Sequence, residues 1–223
     1  QAGVPAEKPQ HLIIVCSSAK GLCGGLNHNI IRFFERSLIA TKSSKPSFIT
    51  IGNKACTYLQ SGQHGAVVEQ IPEYSLNTIN KIASTIVNHI LNKEEPYTAV
   101  TIYYTHLKNF FIQVPHKEQL LPFPPAIEGE EPVKTEPLKD GERYLWEQCP
   151  ERLGAALIRQ HLYTEIIYAL FNNLISENAA RFIAMDQSTN NAHKYLENLH
   201  LAYNKSRQNI ITREIAELSS SFD

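Results

Sequence analysis

Methionine is almost missing from this chain: Met185 is the only one, and the sequence opens on Gln1, so an upstream segment is expected to have been removed. Cysteine is scarce as well, and Cys16, Cys23, Cys56 and Cys149 form no CxxC pair and no Cys/His ligand spacing. That argues against a zinc site and a disulfide framework and points to a reducing compartment. Surplus charge is lacking: the formal net charge is -1, which leaves no bulk attraction for nucleic acid or for an anionic membrane. No apolar run approaches the 18 or so residues that a membrane-spanning helix needs, and no signal-peptide pattern opens the chain. The most informative absence is at the other end. Pro150 is the last proline and Gly154 the last glycine. With no breaker, everything beyond predicts one helix, a rod of roughly 100 Å at about 1.5 Å per residue, far longer than an ordinary helix.

What is present is enough for one sizeable core: 223 residues, 43% of them hydrophobic. Residues 11–17 (HLIIVCS), 47–52 (SFITIG), 65–71 (GAVVEQI) and 98–105 (TAVTIYYT) read as strands, rich in Val, Ile, Thr and Tyr and bounded by Gly, Pro or polar clusters. Between them, residues 27–40 space Ile30, Phe33, Phe34 and Leu38 as a helix with Asn27 placed to cap it, and residues 75–91 do the same with Ile79, Ile82, Ala83, Ile86 and Ile90 behind Ser75. Such alternation predicts an α/β fold, a Rossmann-like, mostly parallel sheet with helices on both faces, over residues 10–143. Residues 110–115 (FFIQVP) read as a further strand returning as a hairpin, and residues 116–143, rich in proline and acidic, as a loop.

The rod, residues 150–223, changes character along its length. Leu157, Ile158, Leu162, Ile166, Ile167, Leu170, Phe171, Leu174 and Ile175 form a face wide enough to pack on the α/β domain. Ala192, Leu196, Leu199, Tyr203, Ser206 and Ile210 then follow coiled-coil spacing, and the stripe moves over to Ile211, Ile215, Leu218 and Phe222. A narrow stripe on a long helix needs a partner, expected from another chain or from the missing upstream segment. Lys194, Lys205, Arg207 and Arg213 face Glu197 alone, which reads either as a solvated surface or as a basic stretch steering toward an acidic partner.

Residues 21–27 (GLCGGLN) follow the first strand and open a helix, where a phosphate cradle would sit. A P-loop needs GxxxxGK[ST], and Leu26 stands where its lysine is required. The GxGxxG spacing fails, and no acidic residue closes the second strand to hold a ribose. The glycines are therefore expected to turn the chain or to let a neighbouring helix approach. The nine histidines form no HxxxH pair and accompany no GxSxG elbow, so no catalytic constellation is expected.

Two stretches together resemble a known family. Gly21, Leu22, Cys23, Gly24, Gly25, Leu26 and Asn27 are similar to the hallmark of the gamma subunit of F-type ATP synthases, and residues 177–218 resemble its C-terminal helix nearly position by position. Residues 110–123 (FFIQVPHKEQLLPF) fit its QVPxxxQLLP region. The resemblance implies a non-catalytic central-stalk rotor without a cofactor. Its α/β domain would sit on the membrane ring of c subunits beside the epsilon subunit. Its long helix would enter the alpha/beta hexamer and drive the catalytic beta subunits in turn. It further implies polar contacts with beta-subunit loops from Arg207, Gln208 and Thr212, with Tyr203, Asn204, Ile211 and Glu214 in the same block, and a lower-shaft block with Met185, Asp186, Thr189 and Asn191.

The family's N-terminal helix, which winds against the C-terminal one, is not matched, and the ending ELSSSFD lacks the family's small-residue tip. The chloroplast redox insertion is also unmatched, which favours a bacterial source and the cytoplasmic face of the inner membrane. A homodimeric coiled-coil scaffold with an α/β head is the alternative: it explains the stripe but not the glycine motif.

Overall fold

The computed structural model describes residues 10–40, 46–61, 65–93, 96–123 and 149–220. Five strands, β1 (His11–Cys16), β2 (Ser47–Ile51), β3 (Ala66–Ile71), β4 (Ala99–Asn109) and β5 (Ile112–Leu121), alternate with α1 (Leu26–Ala40), α2 (Asn53–Ser61) and α3 (Ile79–Leu91) before α4 (Pro150–Ser220). They form one sheet in the order β3-β2-β1-β4-β5. The first four strands run parallel, with Ile14 opposite both Ile49 and Ile102, and β5 turns back antiparallel to β4.

Strand pleating sends successive side chains to opposite faces, and the apolar runs of the central strands supply both cores. Ile13, Val15, Phe48 and Tyr103 meet Ile30 and Phe34 of α1 and Ala55 and Leu59 of α2 on one face. Leu12, Ile14, Ile49, Ile51, Val100, Ile102 and Tyr104 meet α3 and the first half of α4 on the other. Helices cover both faces, as the alternation of strand and helix predicts.

Several details differ from the sequence reading. Helix α2 was not foreseen; it spans nine residues, too few to declare a period. Asn27 does not cap α1: it lies inside the helix and turns its side chain back to Ser18. Ser75 does not cap α3, which starts at Ile79 behind Thr78; the Thr78 hydroxyl bonds the Ser75 main chain instead. Residues 116–121 belong to β5 rather than to a loop, and Phe110 and Phe111 form the turn. Pro115 is tolerated because it pairs with Thr105, whose amide and carbonyl both point away to α4, so proline's missing N–H removes nothing from this edge ladder. The remainder of the expected acidic loop, 124–143, lies outside the described residues.

Helix α4 is continuous over 71 residues. Leu162, Ile166, Ala169 and Leu170 are its buried anchors on the sheet. Leu157, Ile158 and Phe171, expected in that face, are exposed instead, because the sheet and α3 cover a stripe narrower than the apolar run. From Met185 to Leu218 every residue is exposed, a free rod of roughly 50 Å. Phe222, at the end of the expected stripe, lies outside the described residues.

Candidate functional site: the junction of head and shaft

The sheet order reverses between β1 and β4, and in doubly wound folds the crevice at the carboxyl ends of those strands is where ligands bind. Here that crevice is filled by α4. Asn173 Oδ1 accepts from the Thr105 amide at 3.2 Å, and Asn173 Nδ2 donates to the Ser17 carbonyl at 3.2 Å and to the Tyr74 hydroxyl. Ser176 Oγ donates to the Thr105 carbonyl at 3.1 Å. Ser17, just after β1, fixes the other side: its amide and hydroxyl both bond the Ile51 carbonyl, and its Oγ accepts from the Ala55 amide at the start of α2. Burial first, then Cys16 and Glu177, push the Tyr74 hydroxyl far above the usual phenol range against the opposing hydrogen bond from Asn173, so it stays protonated. Gly52, at φ 89°, makes this convergence possible, since a Cβ there would lie 2.3 Å from the Ser17 carbonyl oxygen.

One turn further along α4 the glycine motif makes contact. Gly24 holds φ 57°, and a Cβ on it would stand 3.9 Å from the Ala184 Cβ. Cys23 and Leu26 are buried with Ala180. Asn27 ties the loop together, donating to Ser18 Oγ at 2.7 Å and Cys23 Sγ at 3.0 Å. Buried Glu177 pairs with Arg181, whose Nε reaches the Gly21 carbonyl at 3.4 Å. Around Gly21 and Gly25 there is little for a side chain to meet beyond Asn29. The motif therefore turns the chain and admits the helix. Leu22 holds φ 62° with its side chain 74% exposed, a conformation a leucine rarely adopts.

Of the lower-shaft residues, Met185 is brought to the motif, lining with Leu22, Lys54 and Ser188 a groove of about 450 Å³. Asp186, Thr189 and Asn191 stand on the free rod just beyond, Thr189 bonding the Met185 carbonyl and Asp186 accepting from Asn190. The upper group, Tyr203, Asn204, Arg207, Gln208, Ile211, Thr212 and Glu214, is exposed and, among the described residues, is not brought to any other part of the chain. It lies roughly 27 Å further along the rod, spread over about half the circumference of the helix. Thr212 bonds the Gln208 carbonyl at 2.8 Å, and Arg213 beside them pairs with Glu217 at 2.8 Å.

Sequence reasoning missed Asn173, Ser176, Tyr74 and Arg181. A signal existed: Asn173, Ser176, Glu177, Ala180 and Ala184 continue the helical spacing of the buried face with polar and small residues instead of apolar ones. Cys16, Cys23 and Cys56 are buried free thiols. Among those residues no group of His, Cys, Asp or Glu is arranged to hold a metal, and no helix is long and apolar enough to cross a membrane.

The sequence matches the family model described as ATP synthase over residues 2–223. It is similar to the ATP synthase gamma chain of Pelagibacter ubique, 32% identical over 223 residues that cover 96% of this chain and 73% of that one. The gamma chain of Rickettsia typhi is 32% identical over 214 residues, 93% and 70% of the two chains. In fold it resembles a chain of the Euglena gracilis mitochondrial ATP synthase OSCP/F1/c-ring structure, with a TM-score of 0.71 at 20% identity over 96% of this chain and 72% of that one. A chain of the central stalk/c-ring structure of Tetrahymena thermophila mitochondrial ATP synthase gives a TM-score of 0.60 at 20% identity, covering 81% of this chain and 77% of that one.

Proposed function

The chain belongs to the ATP synthase gamma chain family, and from that premise we propose that it is the non-catalytic rotor of the central stalk of an F-type, proton-translocating ATP synthase. The observation that carries the reading is α4 itself: one unbroken helix whose first half is held in the head domain and whose second half projects bare. An α/β head on such a rod is built to pass rotation from one end to the other. Breaks in the helix would act as hinges, and none interrupts it.

In this reading the head rides on the c-subunit ring beside the epsilon subunit, and the rod enters the alpha/beta hexamer. Ring rotation turns head and rod together, and the rod's uneven surface opens and closes the catalytic beta subunits in turn. Arg207, Gln208 and Thr212 make polar contacts with beta-subunit loops, flanked by Tyr203, Asn204, Ile211 and Glu214. Met185, Asp186, Thr189 and Asn191 serve the lower shaft. Because these groups are exposed, each contact exchanges with water and can be made and released in every turn. The crevice where a doubly wound sheet takes a nucleotide is filled by Asn173 and Ser176, which supports leaving the chemistry to the partner subunits. The complex is placed at the cytoplasmic face of a bacterial inner membrane, with this chain held there through the ring. The homodimeric scaffold is not favoured, since it gives the glycine motif no role.

Reconstitution tests the reading. This chain, with and without a restored N-terminal helix, is mixed with alpha and beta subunits of a bacterial relative, and complex size and ATP hydrolysis are measured. One copy per hexamer with hydrolysis dependent on it is the expected result. Failure to assemble in both forms overturns the reading and returns the scaffold.

A further inference from the structure

The contacts between α4 and the head are of three kinds along one face. Toward its start they are apolar, through Leu162, Ile166 and Leu170. Toward the rod they are small, through Ala180 and Ala184. Between them lies one buried turn of polar contact, Asn173 and Ser176, both wholly inaccessible to solvent; Arg159 to the Asn88 side chain at 2.7 Å and Arg181 to the Gly21 carbonyl at 3.4 Å are polar contacts at the exposed margin, where water can replace them. Apolar contact is non-directional, so a helix held by it alone can roll or slide until another ridge fits. Hydrogen bonds to main-chain groups cannot follow. Asn173 and Ser176 hold both the N–H and the C=O of Thr105, and Asn173 also holds the Ser17 carbonyl and the Tyr74 hydroxyl. Rolling α4 by one residue, about 100°, carries both side chains away and leaves buried donors and acceptors unpaired. Fixing register is the best-attested use of buried polar groups in packed helices.

We propose that Asn173 and Ser176 are positioning residues that key the angular register of the shaft to the head, so that torque crosses the junction without slip. The torque half rests on the rotor reading; the register half stands on the chain alone.

The test keeps the two apart. In the full chain with exposed Cys149 replaced (Cys149→Ser), spin labels are placed on α3 and on the rod (Lys81→Cys, Tyr195→Cys) and the distance distribution between them is measured. The parent should give one narrow distance. Asn173→Leu with Ser176→Ala should broaden it at least twofold or add a second population, and Ser176→Thr, which keeps the hydroxyl, should stay narrow. Leu170→Ala, which weakens packing without touching the polar turn, should lower the melting temperature while leaving the distance narrow. In the assembled ATP synthase the double variant should pump several-fold fewer protons per ATP hydrolysed, and Leu170→Ala should pump normally. An unchanged distance in the double variant, equal broadening by Leu170→Ala, or an unchanged pumping ratio overturns the proposal. If the double variant does not fold, Ser176→Ala alone is read in the same way, and its failure to fold also overturns the proposal by assigning the bonds to stability. Failure of the parent chain to assemble with alpha and beta subunits counts against the rotor reading while the label distances still decide the register.

Discussion

Gly24 and Ala184 meet at the point where the head domain releases the shaft: a Cβ built on Gly24 would stand 3.9 Å from the Ala184 Cβ, and Gly24 holds φ 57°. The distance is ordinary van der Waals contact, so glycine is required there by backbone conformation more than by space. Three glycines of this region therefore differ in what they tolerate.

Gly24→Ala should destabilise the chain by about 1–2 kcal/mol, the cost of a left-handed conformation for a residue with a Cβ. Gly52→Ala adds a collision with the Ser17 carbonyl at 2.3 Å and should abolish cooperative folding. Gly21→Ala meets nothing within 4 Å and should change stability by less than about 0.5 kcal/mol. Thermal melting of the three variants gives the order directly, and equal effects at Gly21 and Gly24 would refute it.

Arg207→Ala with Gln208→Ala should leave the melting temperature unchanged, because both side chains are exposed on the rod. ATP turnover of the reconstituted complex should fall. Two polar contacts worth about 0.5–1.5 kcal/mol each, together about 1–3 kcal/mol, correspond to a drop of roughly five- to 150-fold. Unaltered turnover would mean that the rod works there by shape alone.

Replacing Tyr203 and Asn204 by a glycine pair should cost about 0.3–0.5 kcal/mol per position in local helix stability and introduce a hinge. Torque measured on single complexes should drop while assembly persists. Equal torque would show that stiffness at this height of the rod is not needed.

Glu165 of α4 carries a carboxyl held above its usual pKa, first by burial and then by Glu118 on β5, with His161 acting in the opposite sense. Its folded form holds the proton more tightly than the unfolded chain, so its contribution to stability is largest at low pH. That contribution is lost as pH rises from the ordinary carboxylate range through the raised value. Glu165→Gln should remove this fall and be more stable than the parent at neutral pH. Denaturant titrations across that range check it, and parallel pH profiles would refute the assignment.

The rod is legible in the sequence because its evidence is local: no glycine or proline interrupts the chain after Gly154, and helix continuity depends on each residue accepting one backbone conformation. The central strands were legible for the same reason, through their β-branched runs. Local evidence failed where a neighbour overrides it. Pro115 read as the end of a strand, yet its partner Thr105 turns its main chain toward α4, and β5 runs on to Leu121. Leu157, Ile158 and Phe171 looked like core, yet the width of the buried stripe is set by what the sheet and α3 cover.

The glycine motif shows the division within one stretch. Its residues alone ruled out a phosphate cradle, because the required lysine is not there, and left the reason for its glycines open. Only the folded chain supplies the reason, by laying Ala184 of α4 on Gly24. The spacing of the polar turn was open to sequence reading, but its partners were not: Asn173 bonds Ser17, 156 residues away, and Thr105, 68 residues away. The sequence by itself determined a stiff helix and a set of strands, since those follow from the conformations each residue allows. The angle at which the helix is fixed to the sheet was decided by tertiary structure, since it depends on hydrogen bonds between groups that only folding brings together.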